Sequence, residues 1–198
     1  MKTNFNLLIK SFLIINTLFI SSAYSQDDVE ANRLKIESEP FLIFNNGQSL
    51  NLMYNVTKDN NFGVGIYLFT SDIPNAVGEN MIFNFTDSTS AQVSDEFAIT
   101  LRYRIKLGKN IESNPYVGLI LGWESLSLHR TGVSDMTLST FFVTPHIGYE
   151  LYVYKKMLYL NPQIRTAFFL GDKSSDETRP ESLNSYHILP SLSLGIRF

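Results

Sequence analysis

The chain reads as all-β: a closed, antiparallel, eight-stranded up-and-down transmembrane β-barrel, preceded by a cleavable signal peptide. Three observations predict it. The last twelve residues, His187 to Phe198, alternate apolar with polar or small residues and end the chain on an aromatic. Segments of the same period-two pattern recur upstream, and the connections between them sort into short and long. The first 25 residues have the composition of an export leader.

That leader carries Lys2 and Lys10, then a run free of charge from Ser11 to Gln26 centred on FLIINTLFI. Ala23-Tyr24-Ser25 places small residues where a signal peptidase reads, so cleavage is expected before Gln26. The apolar stretch is too short for a spanning helix, which needs roughly 20 residues. No cysteine follows it, which excludes a lipid-anchored lipoprotein. The expected organisation is a signal peptide over 1–25, a lead-in over 26–35 and a barrel over 36–198.

Removing 25 of the 198 residues leaves 173, enough for one domain. Loss of Lys2 and Lys10 leaves 14 basic residues against 19 acidic ones, a formal charge of -5. That balance argues against nucleic acid as a partner. A chain without cysteine has no disulfides, thiolate nucleophile or thiolate metal site.

In chain order the expected strands are Ile36 to Phe44, Gln48 to Val56, Phe62 to Thr70, Asp95 to Leu107, Pro115 to Ser127, Ser139 to Tyr154, Met157 to Leu170 and His187 to Phe198. Short turns rich in Lys, Asn, Asp and Gly fall at Thr57 to Asn61, Gly108 to Asn114 and Lys155-Lys156. Longer polar loops fall at Ser71 to Ser94, Leu128 to Leu138 and Gly171 to Tyr186. Short turns on one side and long loops on the other are the asymmetry of a membrane barrel. Asn45-Asn46-Gly47 carries the signature of a tight hairpin turn, which makes the first of the long-loop connections short.

Parity within the strands separates two faces. Phe97, Ile99, Leu101, Tyr103 and Ile105 alternate with Ala98, Thr100, Arg102, Arg104 and Lys106; Ile147, Tyr149 and Leu151 alternate with His146, Gly148 and Glu150. A soluble barrel turns the apolar face inward, whereas a membrane barrel turns it to lipid and encloses the charges. Leader, terminal Phe198, loop asymmetry and the aromatics near strand ends (Tyr116, Trp123, Tyr152, Tyr154, Tyr159, Phe168, Phe169) point to the membrane.

The closing SLSLGIRF, the segment KLGKNIESNPYVGLILGWE and the hairpin YVYKKMLYLNPQ resemble the small eight-stranded outer-membrane β-barrel proteins, in particular the outer-membrane β-barrel domain family of Bacteroidota. The resemblance covers nearly all of the chain after the leader. It implies export through the Sec pathway to the outer membrane of a Gram-negative bacterium. Expected partners are outer-membrane lipid and lipopolysaccharide, the barrel-assembly machinery reading a terminal signal at Phe198, and an extracellular ligand met through the loops. The family's signals are architectural and imply no cofactor and no enzyme.

Candidate chemistry centres on a polar filling of the barrel by Arg102, Arg104, Glu124, His146, Glu150, Asn161 and Arg165. A tight hairpin at Tyr154 to Met157 sets His146 opposite Arg165 and Glu150 opposite Asn161. Strands starting level set Glu124 beside His146 and Ile120 beside Glu150, and the Gly108 to Asn114 turn sets Arg102 beside Ile120. Two layers follow: Glu124, His146 and Arg165, then Arg102, Glu150 and Asn161. In an eight-stranded barrel, whose interior is just wide enough for side chains to fill, such layers form a paired plug.

Other readings rest on fewer residues. A lipid A deacylase or acyl transferase needs a Ser-His-acid trio, for which Ser185, His187 and Glu181, or Ser127, His129 and Glu124, are the available sets. A narrow pore or a soluble lipocalin-like binder are the further alternatives. His129, His146 and His187 lie on different strands without ligand spacing, and no calcium-loop pattern orders Asp72, Asp87, Asp95, Asp172 and Asp176. Gly63, Gly65, Gly118 and Gly122 precede no helix and are read as relief of crowding where strands curve. MIFNF, inside the longest loop, is expected to extend a strand, pack over the barrel mouth or meet a partner.

Overall fold

A computed structural model describes residues 33–57, 60–82, 85, 88–105, 114–132, 135–154, 157–174 and 184–198, the side chains of 95, 96, 114 and 172–174 excepted. The expected leader lies outside these residues. Eight antiparallel strands close into one barrel in sequence order, each hydrogen-bonded to its chain neighbours and the first to the last. They are β1 (Leu34–Ser38), β2 (Gln48–Asn55), β3 (Phe62–Ile73), β4 (Thr89–Arg104), β5 (Asn114–Arg130), β6 (Met136–Tyr154), β7 (Leu158–Ser174) and β8 (Tyr186–Arg197).

The walls are uneven. β4 to β7 run 16, 17, 19 and 17 residues, while β1 has 5 and β2 has 8. A tilted strand needs about 9 to 11 residues to cross a bilayer, so the tall side exceeds that height. The expected loop at Leu128 to Leu138 is corrected accordingly: β5 continues to Arg130 and β6 begins at Met136, with Leu128 paired to Met136.

The first expected strand, Ile36 to Phe44, is corrected as well. β1 stops at Ser38, and Pro40–Asn45 forms a 3₁₀ helix. Pro40 cannot donate to a ladder but is well placed at the start of a helical turn. Asn46, in the left-handed region at φ 50°, then reverses the chain, and the Gly47 N–H donates to the Leu42 carbonyl at 2.7 Å.

β4 begins six residues earlier than its expected start at Asp95. A register shift against β5 between Asp95 and Phe97 changes which parity faces inward. Ala91 and Val93 point in before it, and Ala98, Thr100, Arg102 and Arg104 after it. Between β3 and β4 a short helix, α1 (Asn75–Met81), occupies part of what the sequence presents as a polar loop.

The exterior is apolar. Leu52, Ile66, Ile99, Val117, Ile147 and Ile164 are all exposed, while Lys35, Glu37, Arg102, Glu150 and Arg165, on the opposite parity of their strands, are buried inside. This arrangement is the inverse of a soluble barrel.

Candidate functional site

The interior divides along the barrel axis. Toward the end that carries the tight turns it is charged, and toward the other end it is apolar.

In the charged half, two carboxylates organise the filling. Glu37 of β1 accepts from both terminal nitrogens of Arg102 at 2.6 and 2.9 Å, from the Tyr159 hydroxyl at 2.8 Å, and from the amides of Asn51 and Asn161 at 2.9 and 3.2 Å. Glu150 of β6 accepts from Lys35 at 2.5 Å, from Arg104, from the Tyr152 hydroxyl at 3.0 Å and, more weakly, from Arg102 at 3.4 Å. Arg102 also lies over the Tyr116 ring, 4.1 Å from its centroid. Buried charges survive in such a place because each faces an opposite charge at hydrogen-bond distance.

Rings complete the plug, and glycines on neighbouring strands make room for them. A Cβ on Gly118 would lie 2.3 Å from His146 Nε2, one on Gly148 2.3 Å from the Tyr116 hydroxyl, and one on Gly195 2.3 Å from the Tyr159 ring. Four of the aromatics expected near the membrane interface therefore belong inside: Tyr116 and Tyr159 are fully buried, and Tyr152 and Phe169 also face inward. Trp123, Tyr154 and Phe168 face outward.

A second ionic group sits at mid-height. Arg165 binds Glu39 at 2.6 Å, and the Tyr67 hydroxyl accepts from Arg165 at 3.0 Å and donates to Glu39 at 3.0 Å. Gln163 accepts from Arg165 at 3.2 Å and donates to Ser193 at 2.9 Å.

The seven residues expected inside all do face inward, but not in the layers the level-strand assumption gives. His146 stands opposite Arg165 as expected. Arg102, Glu150 and Asn161 share the lower layer: Arg102 and Asn161 both donate to Glu37, and Arg102 also reaches Glu150. Glu124 is corrected: it pairs in register with Thr140, while Gly118 faces His146. Ile120 stands between Thr100 and Thr144 rather than beside Arg102 and Glu150. The reason is stagger: β6 runs past the start of β5, with Asn114 opposite Glu150, as closure of tilted strands requires. The acid that Arg165 uses is Glu39, not Glu124.

Lys35, Glu37 and Glu39 were missed because the first strand is the least regular segment. Their signal was nevertheless present: they alternate with Leu34, Ile36 and Ser38 in the same in-out period as every other strand.

Above the plug the filling turns apolar. Ile73, Met81, Ile82, Phe85, Leu126 and Leu138 belong to one buried cluster, and Tyr67, Ala98, Ile120 and Phe142 form another beneath it. The MIFNF segment thus packs over the barrel mouth through Met81, Ile82 and Phe85. Between the two clusters lies a cavity of about 200 Å³, lined by Phe69, Ile120, Phe142, Ala167 and Leu189 among others.

The Ser-His-acid sets do not assemble. Glu124 is buried inside the barrel, whereas His129, five residues further on the opposite face, is exposed and binds Asp135 at 3.0 Å. In the other set His187 faces inward, Ser185 is exposed and Glu181 lies outside the described residues. Among the described residues no group of three or more His, Asp and Glu side chains is placed to hold a metal.

No protein-family model and no curated protein matches the chain. Solved structures do. The crystal structure of Neisserial surface protein A superposes with a TM-score of 0.52 at 13% identity, covering 83% of this chain and 90% of that one. A major outer-membrane protein from Thermus thermophilus gives a TM-score of 0.51 at 11% identity, covering 85% and 100%. The fold is that of the small eight-stranded outer-membrane β-barrels.

Proposed function

We propose that this chain is a non-enzymatic integral protein of the outer membrane of a Gram-negative bacterium, exported through the Sec pathway, with a structural or surface-interaction role. The observation that carries the reading is the pairing of an apolar exterior with an interior closed by the Glu37 and Glu150 networks. An apolar outer band is stable against hydrocarbon, and full strand closure satisfies the backbone there. Tyr116, Tyr159, Arg102 and Glu150 are each at most 4% exposed, so the filled lower half opposes passage of ions.

On this reading lipid and lipopolysaccharide are met by the outer band, and the assembly machinery reads the closing strand to Phe198. The loops opposite the tight turns face the surroundings of the cell.

Fractionation and planar bilayers test it together. The protein should be recovered with the outer membrane, migrate faster on gels before heating than after, and give no stepwise conductance. Recovery in the soluble periplasm or regular conductance steps from the wild-type protein would overturn it.

A further inference from the structure

The apolar cavity above the plug is distinguished by an unsatisfied ring nitrogen on its wall and by its position at a seam. His187 lines it, is 91% buried by its 9% exposure, and leaves Nε2 without a hydrogen-bond partner among the described residues. A buried polar atom left in that state is destabilising until a partner reaches it. Here it borders space large enough for a partner, since a cavity of about 150 Å³ holds benzene.

The seam lies on the short side of the barrel. β1 meets β8 over four rungs, Lys35 to Ser38 against Arg197 to Leu194. Beyond them β8, from Tyr186 to Ser193, has β7 along one edge and the 3₁₀ helix near the other. No backbone hydrogen bond between β8 and that helix is present among the described residues. Leu42 of the helix and Leu189 of β8 both face the cavity. Phe41, Ile43 and Phe44 of the same helix are exposed outward. The wall at this place is therefore held by side-chain contact and apolar on both surfaces.

We infer that the cavity is a binding site for a small neutral amphiphile, a ring or short hydrocarbon chain bearing one hydroxyl, which hydrogen-bonds to His187 and enters from lipid through the seam between β8 and the 3₁₀ helix. The apolar lining takes the hydrocarbon part. Neutral His187 carries one donor and one acceptor nitrogen, so a hydroxyl suits Nε2 in either tautomer. The hydroxyl is preferred to a carboxylate because Asp72 and Glu124 also line the cavity, and Arg165 is already engaged by Glu39. A second anion there meets like charge. Access from the side follows from a wall with no ladder to break, whereas α1 and the Ile82 and Phe85 side chains pack over the mouth.

Fluorescence quenching in lipid nanodiscs tests this with 8-bromo-1-octanol as the probe and 8-bromooctanoic acid as its charged counterpart. The chain has one tryptophan, Trp123, on the outer face. Wild-type protein therefore reports partitioning of the probe into lipid. In the double variant Trp123→Phe, Phe169→Trp the introduced indole reports the cavity. Quenching should saturate in the double variant and rise without saturation in the wild type. The acid should bind about tenfold or more weakly. His187→Ala in that background should weaken the alcohol by about 2- to 10-fold, and Ala167→Leu, which fills the cavity, should abolish saturation. Heat-modifiable migration checks that each variant folds. Titration of wild-type protein with unbrominated 1-octanol, followed through the ring resonances of His187, gives an answer even if the tryptophan variant does not fold. Parallel non-saturating curves at both positions, together with unmoved His187 resonances, overturn the proposal.

Discussion

The two halves of the barrel interior solve the same problem with opposite chemistry. Both must exclude water from a space just wide enough for side chains. The lower half does so with Lys35, Glu37, Arg102, Arg104 and Glu150, locked by hydrogen bonds and backed by Tyr116 and Tyr159. The upper half does so with Ile73, Leu126, Met136 and Leu138 under the cover of α1. A charged filling is unforgiving, since several donors converge on Glu37 and on Glu150, and loss of either carboxylate strands the donors around it. An apolar filling tolerates a void, and a void is present there. Rigidity is thereby concentrated in one half and adaptability in the other.

The largest effect should come from breaking the lower half at Glu37. Glu37→Ala leaves Arg102, Tyr159, Asn51 and Asn161 without the oxygens to which they donate. Removing one partner of a buried ionic pair costs about 3 to 5 kcal/mol. Urea unfolding in detergent micelles, followed by the loss of fast gel migration, measures it. The double variant Glu37→Leu, Arg102→Met removes both charges and should lose less than Glu37→Leu alone. If the losses of the two single changes simply add, the two residues are not coupled and the network account fails.

The upper half should answer Leu138→Ala with a loss of about 2 to 5 kcal/mol from the vacated volume alone. Leu138 is fully buried, but no hydrogen bond ends on its side chain. Its loss should therefore be restored by a larger apolar group at a neighbouring cluster position, such as Ala91→Val, where no such repair is available to Glu37→Ala. A Leu138→Ala protein as stable as the wild type would mean the mouth is not a packed core.

Gly118→Ala falls between the halves and should cost about 1 to 3 kcal/mol by overpacking, because the added methyl meets His146 and the Leu101 carbonyl. His146→Ala in the same chain should relieve most of that cost. Gly132→Ala meets no neighbouring atom, so its cost reflects the positive φ of 78° alone.

Much of the architecture was legible because β5 to β8 carry long uninterrupted alternations, in which one face reads apolar and the other polar. Legibility failed where that period breaks. The bulge at Asp95 to Phe97 reverses the parity of β4, so Thr89 to Ser94 reads as loop. Pro40 ends β1 after five residues, so the Lys35, Glu37 and Glu39 ladder is split between the expected lead-in and an expected strand whose second half is helical. Faces were recoverable from single strands, but layers were not, because the stagger between β5 and β6 is a property of closure. Tyr116 and Tyr159 looked like interface aromatics for a related reason: nothing in their own strands indicates that Gly148 and Gly195 leave room for them inside.

The smallest effect should be at the outer rim, where His129 and Asp135 pair 3.0 Å apart with side chains 51% and 68% exposed. An exposed pair of this kind contributes about 0 to 1 kcal/mol, so His129→Ala should leave the urea midpoint nearly unchanged. The same variant sharpens the contrast between interior and rim in chemical terms. Ser127 and His129 lie on the face opposite Glu124, so no acid inside the barrel can orient this histidine toward that serine. Lipid A mass spectra from a deletion strain, and from strains restored with wild-type, Ser127→Ala or His129→Ala protein, should therefore be identical. A change by one acyl chain on deletion that wild type reverses and His129→Ala does not would place catalysis at the rim, and the rim would then do more than bound the packed interior.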